Sequence, residues 1–205
     1  MRVISGKRRG ATLIAPEGHM TRPTADRTRE MIFNVLDGGR HGNPLDANLV
    51  IDGFAGSGAM GCEAWSRGAK RVIFIDQDSA ALKAIKANIT KLGAEAECGA
   101  VSRDLLASLS WPFGQADLIF LDPPWSKVTG TKADASMLAL NHLVAANGVA
   151  EDALAVIEHD RRFPPEPPSG WAIVDQRHAG RAGVCFLRYQ ARQGWHSPNS
   201  LAAAK

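Results

Sequence analysis

A chain of 205 residues, 45% hydrophobic and 22% charged, has enough apolar mass for one domain with its own core, which excludes disorder and stapled miniature scaffolds. No apolar run reaches the roughly 18 residues of a membrane span, and the basic start Met1-Arg2-Val3-Ile4-Ser5-Gly6-Lys7-Arg8-Arg9 has no apolar stretch behind it, so neither a span nor an export signal is expected. The net charge of +3 is uneven: residues 1–30 hold seven basic and three acidic side chains (+4), residues 176–205 five basic and none acidic (+5), which leaves −6 for the middle. Basic ends around an acidic centre suit a polyanion lying across the ends while the centre holds a cation or accepts protons.

In chain order, glycines and Pro16 punctuate the short pieces Arg2-Val3-Ile4 and Ala11-Thr12-Leu13-Ile14, which predicts a small β-hairpin extension over residues 1–23. Met31, Ile32, Val35 and Leu36 then predict a helix capped by Thr24 and ending near Gly38-Gly39. Asn48 to Ile51, Arg71 to Ile75, a weaker Glu97 to Val101, Asp117 to Leu121 and Ala153 to Ile157 read as strands. Ala59 to Arg67, the face Leu82, Ile85, Ile89 and Leu92, and Met137 to Ala146 read as the helices between them. Trp171 to Val174 and Val184 to Tyr189 flank a Gly/Arg-rich turn with no helix between. The alternation predicts a doubly wound, mostly parallel α/β sheet whose terminal pair forms an antiparallel edge, spanning residues 24–190, with a tail over 191–205. Cys62, Cys98 and Cys185 are too scattered for a zinc site and suit buried thiols in a reducing cytoplasm; no metal is expected.

The chemistry concentrates in two places. Asp52-Gly53-Phe54-Ala55-Gly56-Ser57-Gly58-Ala59-Met60-Gly61 holds GxGxxG between a strand and a helix, a loop that lets backbone approach a ligand. Dinucleotides and S-adenosylmethionine both use such glycines. Asp52 favours the second, since a strand-tip carboxylate repels a pyrophosphate and attracts the ammonium of a methionine moiety. Asp76, followed by Gln77, ends the next strand and can accept from ribose hydroxyls, as in either ligand class. Asp104 and the Leu105 N–H can read an adenine edge, although Asp104 equally suits a helix cap or solvated turn.

The second place is Asp122-Pro123-Pro124-Trp125, directly after an apolar strand. The prolines fix the exit of the chain and leave carbonyl acceptors unpaired. A planar exocyclic amine such as guanine N2 is a poor nucleophile because its lone pair is delocalised. Acceptors at Asp122 and Pro123 would draw its N–H bonds, let the nitrogen pyramidalise and aim the lone pair at an electrophile. Trp125 offers a face for the base to stack on.

These residues resemble the class I S-adenosylmethionine-dependent methyltransferases and, within them, the bacterial 16S ribosomal RNA guanine-N2 methyltransferases of the RsmD type. The marks are Arg2-Val3-Ile4-Ser5-Gly6 with Arg9-Gly10, Arg22-Pro23-Thr24 with Asp26-Arg27, Arg29-Glu30 and Phe33-Asn34, then the glycine loop, Ser66-Arg67-Gly68-Ala69 and Asp122-Pro123-Pro124. The resemblance implies a Rossmann-like class I fold with seven strands, S-adenosylmethionine held by Asp52, Phe54, Ala55, Gly56, Gly58, Asp76, Gln77, Asp104, Leu105 and Asp122, and catalysis at Asp122 to Trp125. It also implies 16S RNA or the 30S subunit as substrate, contacted by Arg9, Arg22, Arg27 and Arg29, and a cytoplasmic monomer without metal or membrane. Three positions depart from the family pattern: Trp125 stands for Tyr or Phe, Asp76 for Glu, and Gly53 for a bulkier residue. A DNA amino methyltransferase is the first rival, but little length is left for a base-reading domain. An NAD-dependent oxidoreductase leaves Asp122-Pro123-Pro124-Trp125 without a task, and a non-catalytic RNA-binding module leaves the strand-tip acids without one.

Overall fold

The computed structural model describes residues 1–17, 23–108, 110–124 and 132–190. Arg22, Trp125 and the tail lie outside the described residues. The apolar runs become seven strands: β1 Val50–Gly53, β2 Val72–Asp76, β3 Cys98–Ser102, β4 Ala116–Leu121, β5 Val149–Asp160, β6 Trp171–Ala179 and β7 Ala182–Tyr189. Their order is β3-β2-β1-β4-β5-β7-β6, parallel from β3 to β5, with β7 antiparallel to both β5 and β6. Helices α1 Pro23–Asp37, α2 Ala59–Arg67, α3 Ser79–Leu92 and α4 Lys132–Ala145 cover the faces. This is the predicted doubly wound sheet. From β1 the chain winds outward through β2 and β3, then returns to the other side of β1 as β4, so the winding reverses between β1 and β4 and a crevice opens at their carboxyl ends. Side chains alternate across β1: Val50 joins the core under α1, α2 and α3, and Ile51 the core under α4. None of the described helices is long and apolar enough to cross a membrane.

Element limits differ from expectation where polar residues sit inside regular structure. Helix α1 begins at Pro23, so Thr24 falls inside it rather than capping it; a proline has no N–H to leave unpaired in a first turn. Helix α4 starts five residues before the predicted Met137, through a polar first turn. Strand β5 extends beyond Ala153–Ile157 at both ends, because its register against β4 shifts between Ala116 and Leu118, where Asp152 takes φ 59°. The polar stretch Asp175 to His178 continues β6 as the edge of the sheet, where only one face of the strand must be apolar.

The amino-terminal extension returns on itself through the bridge Arg2↔Thr12 and a short 3-10 turn at Gly6–Arg8. A two-stranded ribbon is marginal by itself, and this one is fastened to the helices by buried polar side chains. Glu63 of α2, fully buried, accepts from the Ile4 N–H at 2.6 Å, the Ser5 N–H at 2.9 Å and Arg67 Nε at 2.7 Å. Ser66 Oγ accepts from the Arg8 N–H at 3.0 Å and donates to the Ser5 carbonyl at 2.6 Å. Asn88 of α3, also fully buried, accepts from the Ile14 N–H at 2.7 Å and donates to the carbonyls of Ile14 and Ser57, both at 2.9 Å. Asn88 thereby ties the extension to the glycine loop. Val3 and Leu13 complete the seam as core residues.

Gly6 has φ +81°, and a Cβ there would stand 1.9 Å from the Ser66 carbonyl oxygen, whereas Gly10, at φ +84°, has open space. Gly6→Ala therefore meets both strain and backbone overlap, and Gly10→Ala strain alone. In denaturant unfolding, Gly10→Ala is expected to cost about 1–2 kcal/mol and Gly6→Ala clearly more, with faster proteolysis of the extension. Equal losses would show that the seam tolerates the overlap.

Candidate active site

The turn after β1 is shaped by backbone geometry. Phe54 holds φ 57°, a left-handed value that costs a non-glycine residue energy and that clusters at functional sites. The Ala55 N–H donates to the Ile75 carbonyl at 3.0 Å, and the Gly58 N–H to the Ala55 carbonyl at 2.7 Å, which closes the loop onto β2. The glycines divide the work. A Cβ on Gly61 would lie 2.4 Å from the Phe74 ring, so this glycine lets α2 pack onto the sheet. Gly56, at φ +56°, faces open space, as expected where backbone is presented to a ligand. Gly53 has its own packing reason, since Leu105 and Leu121 would each come within 2.7 Å of a Cβ there and already occupy the space a larger residue would need.

Three predicted acids come together at the carboxyl ends of β1, β2 and β4. Asp52 is not at the surface: it is 3% exposed, and its Oδ2 accepts from the Gly61 N–H at 2.8 Å, in the first turn of α2. Burial pushes its carboxyl up to about 8; the Gly61 bond opposes the shift, and the neighbouring Asp76 and Asp122 charges add to it. Asp76 Oδ2 accepts from the Gly56 N–H at 2.8 Å and Oδ1 from the Asp78 N–H at 2.9 Å, so the shorter side chain at this position still reaches the loop. Gln77 is exposed beside it. Asp122 is exposed at the end of β4, followed by buried Pro123 and exposed Pro124. Despite this crowding, no three His, Cys, Asp or Glu residues among the described residues are placed to hold a metal ion.

Asp104 stands apart from the three. It is exposed, and its Oδ1 accepts from the Leu106 N–H at 2.8 Å, a self-contained solvated turn. Leu105 is buried, and its carbonyl is 3.0 Å from His142 Nδ1 of α4, which fixes the loop after β3 above Gly53. The predicted phosphate contacts divide. Arg9 and Arg27 are exposed, and Arg27 borders an open groove of about 520 Å³ shared with Arg40 and Arg177. Arg29 corrects the expectation: it is 5% exposed, and its guanidinium donates to the Arg2 carbonyl at 2.9 Å and to Asp26 at 3.1 Å. It holds the extension against α1 and is turned away from any external phosphate. The links through Glu63, Ser66 and Asn88 were missed in the sequence. Glu63 and Arg67 at i and i+4 look like a solvated helix pair, and the only available signal was their position beside Gly68.

The family model described as conserved hypothetical protein 95 matches residues 1–188. The ribosomal RNA small subunit methyltransferase D of Haemophilus influenzae is 31% identical over 193 residues, covering 93% of this chain and 93% of that protein. Its Escherichia coli K12 namesake is 30% identical over 192 residues, covering 93% and 89%. The solved structure of Escherichia coli yhhF superposes with a TM-score of 0.75 at 28% identity, over 94% of this chain and 99% of that one. The match over residues 1–188, together with relatives at 30–31% identity over most of their length, shows that the chain belongs to the conserved hypothetical protein 95 family, the family of RsmD-type methyltransferases.

Proposed function

We propose that this chain transfers a methyl group from S-adenosylmethionine to the exocyclic N2 of a guanine in 16S ribosomal RNA, as free RNA or within the small subunit, in the cytoplasm where ribosomes are assembled. The observation that carries this reading is the convergence of Asp52, Asp76 and Asp122 on one strand-end crevice, beneath a glycine loop whose Gly56 faces open space. Such crowding of carboxylates favours a cationic ligand. It also disfavours a pyrophosphate, which counts against the dinucleotide alternative. The relatives named for small-subunit RNA methylation supply the substrate class.

S-adenosylmethionine brings a sulfonium-bound methyl group as the electrophile. Phe54, Ala55, Gly56 and Gly58 would present backbone to it. Asp52 would act on its ammonium largely through the field of a buried carboxylate, Asp76 with Gln77 would face the ribose, and Asp104 with the Leu105 N–H the adenine. A flipped guanine would stack on Trp125 and donate its two amino hydrogens to Asp122 and the Pro123 carbonyl. Those bonds strengthen as the nitrogen pyramidalises, so the acceptors stabilise the transition state more than the ground state. The surplus proton on nitrogen then leaves through Asp122 or directly to water.

Asp122→Ala is expected to hold cofactor affinity within a few fold while methyl transfer to small-subunit RNA falls by about 10²–10³-fold; near-normal turnover would remove Asp122 from the reaction. Asp52 gives a pH signature. Its folded-state carboxyl titrates near 8, far above its ordinary value, so between about pH 4 and 8 the folded chain holds a proton that the unfolded chain has released. In the ligand-free protein this group's contribution to stability is lost as pH rises through that window. A bound cation favours the ionised form and releases the proton. Between pH 6 and 8, the cofactor affinity of the wild type is expected to gain on that of Asp52→Asn by up to about tenfold per pH unit, levelling off above 8. Parallel titration profiles for the two proteins would show that Asp52 does not sense the ligand.

A further inference from the structure

We infer that the carboxyl end of β5 and the β6–β7 turn form a second RNA-binding surface, which holds the strand beside the target guanine through Arg161, Arg181 and Phe163. The inference rests on the methyltransferase reading for its substrate and extends it to a surface outside the predicted contacts. Leu121, the last residue of β4, pairs in register with Ile157, and β5 continues to Asp160. Arg161 thus stands on the same edge of the sheet as Asp122, one strand over and roughly 10 Å further along the strand direction. The antiparallel return of β7 pairs Ala182 with Asp160 and carries Gly180-Arg181 to the same height, where the Arg161 N–H donates to the Arg181 carbonyl at 3.0 Å.

The charges there are unevenly used. Asp160 is spent on Arg162, accepting from its backbone N–H at 2.9 Å, from Nε at 3.0 Å and from an Nη at 2.8 Å, and these bonds hold the Asp160 carboxyl well below the usual carboxylate range. Arg161 and Arg181 are exposed, and neither forms a direct ion pair among the described residues, although the Arg181 charge also helps to hold the Asp160 carboxyl down. Together with Asp160, Arg162 and Gly180 they line an open hollow of about 540 Å³. Phe163 projects beside it, 44% exposed, with the Arg162 guanidinium 5.4 Å from its ring centre. Two exposed guanidiniums and an exposed ring on a braced turn match what single-stranded nucleic acid requires: cations for phosphates and an aromatic face for a base. An acidic protein segment would use the cations but gain little from the ring. Because the turn is braced by Asp160 and by the Phe163 N–H to Asp160 carbonyl bond at 2.8 Å, the cations are presented without folding on binding.

The test is fluorescence anisotropy with a labelled single-stranded-loop RNA hairpin, across a salt series, alongside cofactor binding and thermal unfolding. The double variant Arg161→Gln/Arg181→Gln is expected to bind this RNA at least tenfold more weakly near 0.1 M salt. Its log–log salt slope should be shallower by about 1.5, as for two lost phosphate contacts, with cofactor affinity and unfolding unchanged. Phe163→Ala is expected to lose about tenfold in RNA affinity with the slope retained. RNA affinity and slope within twofold of wild type in the double variant overturn the surface, as does loss of binding to a poly-glutamate peptide with RNA binding intact. The two readings fail separately. A wild type that transfers no methyl group to RNA, with the double variant still impaired in RNA binding, removes the reaction and supports the surface; normal methylation with an unchanged KM for RNA in the variants removes the surface and keeps the reaction.

Discussion

Like charges placed close together at the ends of adjacent parallel strands are costly, and this fold accepts that cost at one point. Register brings Asp52, Asp76 and Asp122 to the same edge because β1 pairs with β2 on one side and β4 on the other: Asp52 is the last residue but one of β1, Asp76 ends β2 and Asp122 follows β4. Burial, more than this crowding, pushes the Asp52 carboxyl up to about 8, and the Asp76 and Asp122 charges add to the shift. The glycine loop and the first turn of α2 are arranged around these acids, with Gly56 bonded to Asp76 and Gly61 to Asp52. On the proposed reading, a cation entering the crevice would favour the ionised form of Asp52. The hydrogen bonds that locate the loop are made to the same carboxylates that would meet that ligand.

The extension contributes to this arrangement indirectly. Asn88 bonds both Ile14 and Ser57, and Glu63 holds Ile4 and Ser5 from the helix that begins at the loop. Arg29 closes the seam from α1 through the Arg2 carbonyl. The basic residues 1–30 are thus split by function: Arg29 is structural, while Arg9 and Arg27 remain exposed. Arg161 and Arg181 add positive charge at the carboxyl end of β5, one strand over from the β4 exit.

Much of this was legible in the residues. The apolar runs ending in Ile75 and Leu121 are short, continuous and bounded by polar residues, the pattern of central strands in an alternating α/β chain, and the acids at their tips follow from that. The strand limits in β5 were not legible, because Glu151, Asp152 and Glu158 to Asp160 interrupt the apolar pattern while the backbone ladder continues. Inward polar residues were the other blind spot. Asp52, Arg29 and Glu63 have side chains that sequence reading places at the surface, and each is buried because backbone N–H or carbonyl groups from another segment need a partner there. Arg161 escaped notice for a different reason: it belongs to the acidic middle of the chain and becomes part of a basic surface only when β7 brings Arg181 beside it.

The most direct measurement is to supply methyl-labelled S-adenosylmethionine with 16S RNA or small subunits lacking the modification, digest to nucleosides and separate them. Label in N2-methylguanosine is the expected result. Label in a ring-methylated guanosine, in adenosine or cytidine, or in protein would contradict the assignment of the crevice to an exocyclic guanine amine.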